Sequence, residues 1–180
     1  MSASVLDQAT LRSLVHYDPK SGIFTWLSRK GDGLHVRKWN GKLAGKVAGS
    51  KSDGYILITV LSRKYKAHRL AWLYVYGTNP ESEVDHINRV RMDNRISNLR
   101  LATKDENQFN VVLPRKHNVS GVKGAKWCPR DGNFMARIVV GGKEIYLGKF
   151  STAEAAGEAY IAAHIKYANE YSPYSVNGAA

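Results

Sequence analysis

The segment Val84 to Asn110, VDHINRVRMDNRISNLRLATKDENQFN, sets an Asp-His pair before asparagines at positions 88, 94, 98, 107 and 110. Asparagine suits neither strands nor helix interiors, because its short amide competes for nearby backbone groups. Clustered asparagines therefore either serve turns and caps or hold something. The Asp85 carboxylate and the Asn107 carboxamide oxygen would make a hard but incomplete metal site. Such a donor set suits Mg²⁺ or Mn²⁺, which keep waters and take further ligands from substrate phosphates. A neutral imidazole at His86 titrates in the range needed to deprotonate an attacking water. An ion beside it would stabilise charge on a phosphate and its leaving oxygen. Together these groups describe phosphodiester hydrolysis. The competing reading is turns and caps throughout, since a lone histidine is more often structural than catalytic.

Three elements must position these groups. Val84 to Ile87 reads as a short strand, with Asp85 and Ile87 on one face and Val84 and His86 on the other. Leu99 to Ala102 reads as a second strand. Thr103-Lys-Asp-Glu106 spells a capping box that starts a helix at Thr103, with Asn107 one turn inside. This ββα order would let Asp85, His86 and Asn107 converge. Asn88 and Asn94 read as turn residues, and Asn110 as the end of the helix. Arg89, Arg91, Arg95 and Arg100 either reach phosphates or form a solvated basic face.

Upstream, Gln8 to His16 reads as a short helix and Gly22 to Trp26 as a strand. Residues 28 to 44 are basic and glycine-rich and read as loop. Tyr55 to Val60 alternates as a strand, with a second short one near Tyr65 to Ala67. His68 to Tyr76 reads as a helix ended by Gly77, with His68 packing rather than catalysing. Downstream, VVLPRKHNVSG reads as a linker. Three strand-like runs follow, at Val122 to Trp127, Phe134 to Val140 and Glu144 to Leu147, separated by tight-turn signals. Ser151-Thr-Ala-Glu154 spells another capping box, opening an alanine-rich helix to about Asn169. That helix would cover Phe134, Ala136 and Ile138, leaving Met135, Arg137 and Val139 outward. A sheet with one basic face can lie in a DNA groove.

The 180 residues allow one domain or two small ones, and 43% apolar content supports a packed core. Lys and Arg exceed Asp and Glu by 12 charges, which favours a polyanionic partner. A single cysteine, Cys128, excludes an internal disulfide and a multi-cysteine zinc site. No apolar run approaches a membrane span, and MSASVLDQATLRSL lacks signal-peptide regions, so the reading is cytoplasmic with no membrane partner.

VDHIN…DNRISNLRLATKDENQFN resembles the HNH nuclease motif of phage homing and free-standing endonucleases, and YDPKSGIFTW, AGKVAGSKSDGYILITV and AHRLAWLYVYG extend that resemblance over most of residues 17 to 110. It implies that Asp85 is a metal ligand, His86 the general base and Asn98 the amide that ties the loop beneath the base. It also implies that Asn107 stands where a variant subgroup replaces the final metal-ligating histidine by asparagine. SGVKGAKW…NFMARI…EIYLGKFSTAEAAGEAYIAAHIKYA resembles the Apetala/ethylene-response-factor type DNA-binding domain. That implies DNA contacts at Lys123, Trp127, Arg137 and Tyr146, with Lys126, Arg130 and Lys143 adding positive charge nearby.

The expected fold class is α+β: a ββα-metal (HNH) nuclease module with an N-terminal β-rich extension, then a small three-stranded antiparallel sheet packed on one helix. The expected domains are residues 1–112, a linker 113–121, and 122–180. The expected function is Mg²⁺- or Mn²⁺-dependent nicking of double-stranded DNA, one ion per active site, by a monomer or weak dimer on DNA, in the host cytoplasm if phage-encoded. The alternatives are a non-cleaving DNA-binding regulator that keeps the nuclease fold, and an RNA-binding module.

Overall fold

The computed structural model describes residues 6–111, 117–168 and 171–174. The chain divides into two compact units, Met1–Leu101 and Ala102–Ala180. Both mix helices with small sheets, in keeping with an α+β class.

In the first unit, helix α1 (Gln8–Leu14) is capped by Asp7, whose carboxylate accepts the Thr10 N–H at 2.7 Å. Strands β1 (Val15–Asp18) and β2 (Ile23–Trp26) pair antiparallel. Their turn carries Gly22 at φ +73°, where a Cβ would lie 2.4 Å from the Arg95 backbone nitrogen. Only glycine fits both that conformation and that approach, so this turn can pack against the segment that follows Asn94. Residues 34–43, expected as loop, form helix α2 (Leu34–Leu43). Val36 is buried and the Trp39 ring meets Trp26 edge-on at 5.7 Å. Burial of Val36 and the Trp39–Trp26 contact outweigh the local glycine signals.

Strands β3 (Ser50–Ser52), β4 (Tyr55–Val60) and β5 (Arg63–Lys66) form an antiparallel sheet in chain order. Helix α3 (Ala67–Tyr76) follows directly, ends at Gly77 and packs on that sheet. Leu70, Ala71 and Leu73 of α3 join Leu11, Val15, Phe24, Ile58 and Val60 in one buried cluster. The N-terminal part is therefore mixed rather than β-rich. The last strands, β6 (Glu83–His86) and β7 (Leu99–Ala102), pair with each other; Val84 and Leu99 tie them to the same core.

In the second unit, helix α4 (Lys104–Phe109) starts at the expected capping box. The Thr103 N–H donates to Glu106 at 2.7 Å, and the Glu106 N–H donates to the Thr103 hydroxyl at 3.2 Å. Strands β8 (Ala125–Cys128), β9 (Asn133–Val140) and β10 (Lys143–Phe150) form an antiparallel sheet with β9 central. Helix α5 (Ala153–Ala168) covers one face. Its cap is Thr152, whose hydroxyl accepts the Ala155 N–H at 3.1 Å, not the Ser151 expected from the motif. Ala125, Ala136, Ala153 and Ala156 are buried together, and small side chains there let helix and sheet approach closely. A Cβ on Gly124 would lie 2.1 Å from the Tyr160 ring.

Helix α4 falls within the second compact unit. There Phe109 sets its ring edge-on to His164 of α5 at 5.0 Å. Part of the expected linker, residues 113–116, and the expected helix end at Asn169 lie outside the described residues. Among the described residues no helix is long and apolar enough to cross a membrane.

Candidate active site

Strand alternation would send Asp85 and His86 to opposite faces, yet Val84, Asp85 and His86 are all buried. Burying an acid and an imidazole is costly unless each finds polar partners. The loop between β6 and β7 supplies them. Asn94 is 3% exposed, and its amide oxygen lies 3.3 Å from His86 Nε2. Its own Nδ2 donates to the Met92 carbonyl at 3.2 Å, which fixes the amide's orientation. A carboxamide oxygen only accepts, so His86 Nε2 carries the proton and Nδ1 holds the lone pair. Burial holds the His86 pKa below its ordinary value, with Asn94 and Asp85 opposing, so the ring is neutral at pH 7.

Asn98 closes the same loop. Its oxygen accepts the Asn88 N–H at 2.9 Å and its Nδ2 donates to the Asp93 carbonyl at 2.8 Å. The Asn98 carbonyl also accepts the Ile87 N–H at 2.9 Å. Asn88 donates to Asp93 at 2.7 Å and accepts from the Val90 N–H. Arg95 bonds both Asp93 oxygens, at 2.8 and 2.6 Å, and holds the Asp93 pKa down to about 2. Buried Tyr17 donates its hydroxyl to the Asn94 carbonyl at 2.7 Å. The loop is thus braced from β1 as well as from within.

Two of the four arginines are held by carboxylates. Arg100 places its Nε and a terminal nitrogen each 3.1 Å from Asp85 Oδ2, and Arg95 is committed to Asp93. Arg91 lies over the Tyr55 ring at 5.0 Å, and Arg89 is exposed with φ +65°. Asn107 is one turn into α4 in the second unit, partly exposed.

Two neighbours were not assigned to this site from sequence. Asn94 read as a turn residue, although its place between the Asp-His pair and Asn98 was the available signal. His68 read as packing, and it is buried with its ring 4.8 Å edge-on to His86. Burial, then the nearby His86 and Lys66, lower its pKa to about 3. Tyr55 adds a third ring, 5.5 Å from His68 and 6.4 Å from His86.

The residues expected to bind DNA in the second unit separate by strand register. Ala125, opposite Ala136, faces α5; alternation puts Trp127, opposite Phe134, on that same face. Its ring packs on Phe134 at 4.9 Å, at the sheet edge. Lys126, Arg137 and Tyr146 share the opposite face. There Arg137 pairs with Glu144 at 2.9 Å. Lys123 turns its ammonium to the Val111 carbonyl and lies 5.7 Å over the Tyr160 ring, and burial lowers its pKa to about 8. Arg130 is exposed in the β8–β9 turn, and Lys143 is exposed at the start of β10. A depression of about 970 Å³ touches Lys123, Lys126, Trp127 and Arg137.

A family model described as HNH endonuclease matches residues 65–109, from β5 through α4. The chain is also 33% identical over 84 residues to Protein 3.8 of Escherichia phage T7, an alignment spanning 44% of this chain and 69% of that protein. The chain belongs to the family of Protein 3.8 and carries an HNH endonuclease domain. No solved structure matches. The HNH match takes in Asp85, His86, Asn94 and Asn98, and also His68, beside the Asp-His pair.

Among the described residues no three His, Cys, Asp or Glu side chains cluster as a metal cage. A hard ion that keeps its waters does not need one. The Asp85 carboxylate, buried and already drawn to a guanidinium, is an oxygen donor in a position that takes positive charge. The donor chemistry is that of a hard divalent cation.

Proposed function

We propose that this chain is a metal-dependent HNH endonuclease that nicks double-stranded DNA. One observation carries the reading: a buried, neutral His86 held through Nε2 by Asn94, directly beside buried Asp85. His86 Nδ1 takes a proton from water as the water oxygen attacks phosphorus and the sugar–phosphate bond breaks. Such a base typically contributes ~10²–10⁴-fold. Asp85 would hold the divalent ion, with the Asn107 amide oxygen as second ligand by resemblance. When bound, the ion stabilises charge on the phosphate and the leaving oxygen. Asn98 acts indirectly, by fixing the loop that carries Asn94.

Nuclease chemistry is assigned to residues up to about 112, and targeting to residues 122–180 joined through 113–121. Lys126, Arg137 and Tyr146, sharing one sheet face, support groove contact; Arg130 and Lys143 add charge at its margins. Phosphate contacts would set affinity there and base edges selectivity. One site per chain fits nicking by a monomer or weak dimer on DNA. The test is relaxation of supercoiled plasmid with Mg²⁺ and with chelator. Relaxation by the wild type in Mg²⁺ alone, absent for His86→Ala, is the expected result.

The Arg100–Asp85 ion pair favours a second reading, a non-cleaving DNA-binding regulator in which a guanidinium replaces the ion. Binding without nicking under every divalent ion would select it.

A further inference from the structure

Helix α2 has no part in the site above, yet its inner side is anchored. Beside buried Val36 and the Trp39–Trp26 contact, the Asn40 amide accepts the Arg29 N–H at 2.8 Å and donates to the Arg29 carbonyl at 2.9 Å. The Arg29 guanidinium stacks 3.9 Å from the Trp39 ring centre. At the helical period the opposite side carries Leu34, Lys38 and Gly41, flanked by Arg37 on one side and Lys42 on the other. All five are exposed, and among the described residues Arg37, Lys38 and Lys42 make no ion pair.

Gly41 adds an independent observation. It sits inside the helix on the outward side, where a Cβ would meet nothing within 4 Å. Packing does not require glycine there, and glycine costs roughly 0.5–1 kcal/mol against alanine in a helix. Close approach of the backbone to an external surface is a use for it. The surrounding charge says which surface. Between residues 28 and 51 the sole acid is Asp32 among many cations. An anionic membrane would need an apolar outer side, and here Val36 and Trp39 turn inward, with Leu34 the one large apolar residue outward.

We propose that α2 docks on the phosphate backbone of duplex DNA, with Arg37, Lys38 and Lys42 reaching phosphates and Gly41 at the closest approach. The choice of duplex DNA rests on the endonuclease reading. The surface itself does not.

The test uses the full chain and a short DNA duplex, in chelator so that no cleavage intervenes, with affinity followed against salt. Arg37→Gln/Lys38→Gln/Lys42→Gln should weaken binding by at least about tenfold and flatten the salt slope by about 2–3, since each phosphate contact contributes about 0.9. Lys20→Gln/Lys64→Gln/Lys166→Gln removes equal charge elsewhere and should cost much less. Gly41→Glu introduces a better helix former and an anion together; its melting temperature should not fall, while its affinity does. Equal losses in the two triple variants, an unchanged salt slope, or Gly41→Glu with wild-type affinity overturns the proposal. So does an effect confined to structured RNA. If the wild type binds through α2 but never nicks plasmid, the endonuclease reading fails and the docking surface stands.

Discussion

In the first unit Asp85, His86, Asn94 and Asn98 are buried and held by other polar groups, whereas in the second Lys126, Arg137 and Tyr146 stand on an open sheet face above an alanine-lined core. The first arrangement is a site in the strict sense: its polar groups were desolvated in advance and would be costly there without each other. The second is a surface, whose groups pay little for their positions and can adapt to what they touch. The one buried histidine of the second unit shows the contrast from the other side. His164 is fully buried, and its Nδ1 meets the Ser172 hydroxyl at 2.8 Å. It fills space among Phe109, Tyr160 and Tyr174 rather than organising chemistry.

The largest effect that can break this contrast is at His86. His86→Ala should lower the nicking rate by ~10²–10⁴-fold with duplex affinity kept. A comparable rate loss from Tyr146→Ala at saturating DNA would make the second unit catalytic and dissolve the distinction. Next comes Asn98→Ala, which strands the Asn88 N–H and the Asp93 carbonyl. It should cost about 1–3 kcal/mol, seen as a lowered melting temperature. A silent Asn98→Ala would mean the loop is not braced as described.

Smaller effects belong to the open face. Lys126→Gln with Tyr146→Ala should weaken DNA binding by about tenfold, as expected for one phosphate contact and one aromatic contact. Trp127→Ala should change affinity much less, because register places that ring on the helix side. The reverse ranking would show that the helix-side edge around Trp127, not the open sheet face, meets DNA.

A separate effect is in pH, and both units share it. Burial lowers the pKa of His68 to about 3 and of His164 to about 4. The unfolded chain binds those protons near pH 6.5. Stability is therefore full above about 6.5 and falls as pH drops through that value toward the folded pKa, by at most about 1.4 kcal/mol per pH unit for each histidine. Melting curves from pH 7.5 to 4.5 should show the decline, and His164→Phe should flatten it. An unchanged slope would place His164 in contact with water.

What the sequence disclosed divides along the same line. Strand β7, the Thr103–Glu106 capping box and the Tyr55–Val60 strand were legible because short-range patterning decides them. Helix α2 was not, because Trp26 and Arg29 stabilise it from outside its own window. The pair Asp85-His86 was visible by residue type. The grip of Asn94 on His86 was not, because an amide in a turn and an amide on a base look alike until the loop is closed. The Arg100–Asp85 pair was hidden for a related reason: a basic residue on a strand declares its charge but not its partner.

The most direct test of the central claim compares wild type and Asp85→Ala on supercoiled plasmid in Mg²⁺, with duplex binding measured in parallel. The account predicts that both proteins bind and only the wild type converts supercoiled DNA to open circles. Open circles produced equally by both, or by neither, would contradict it.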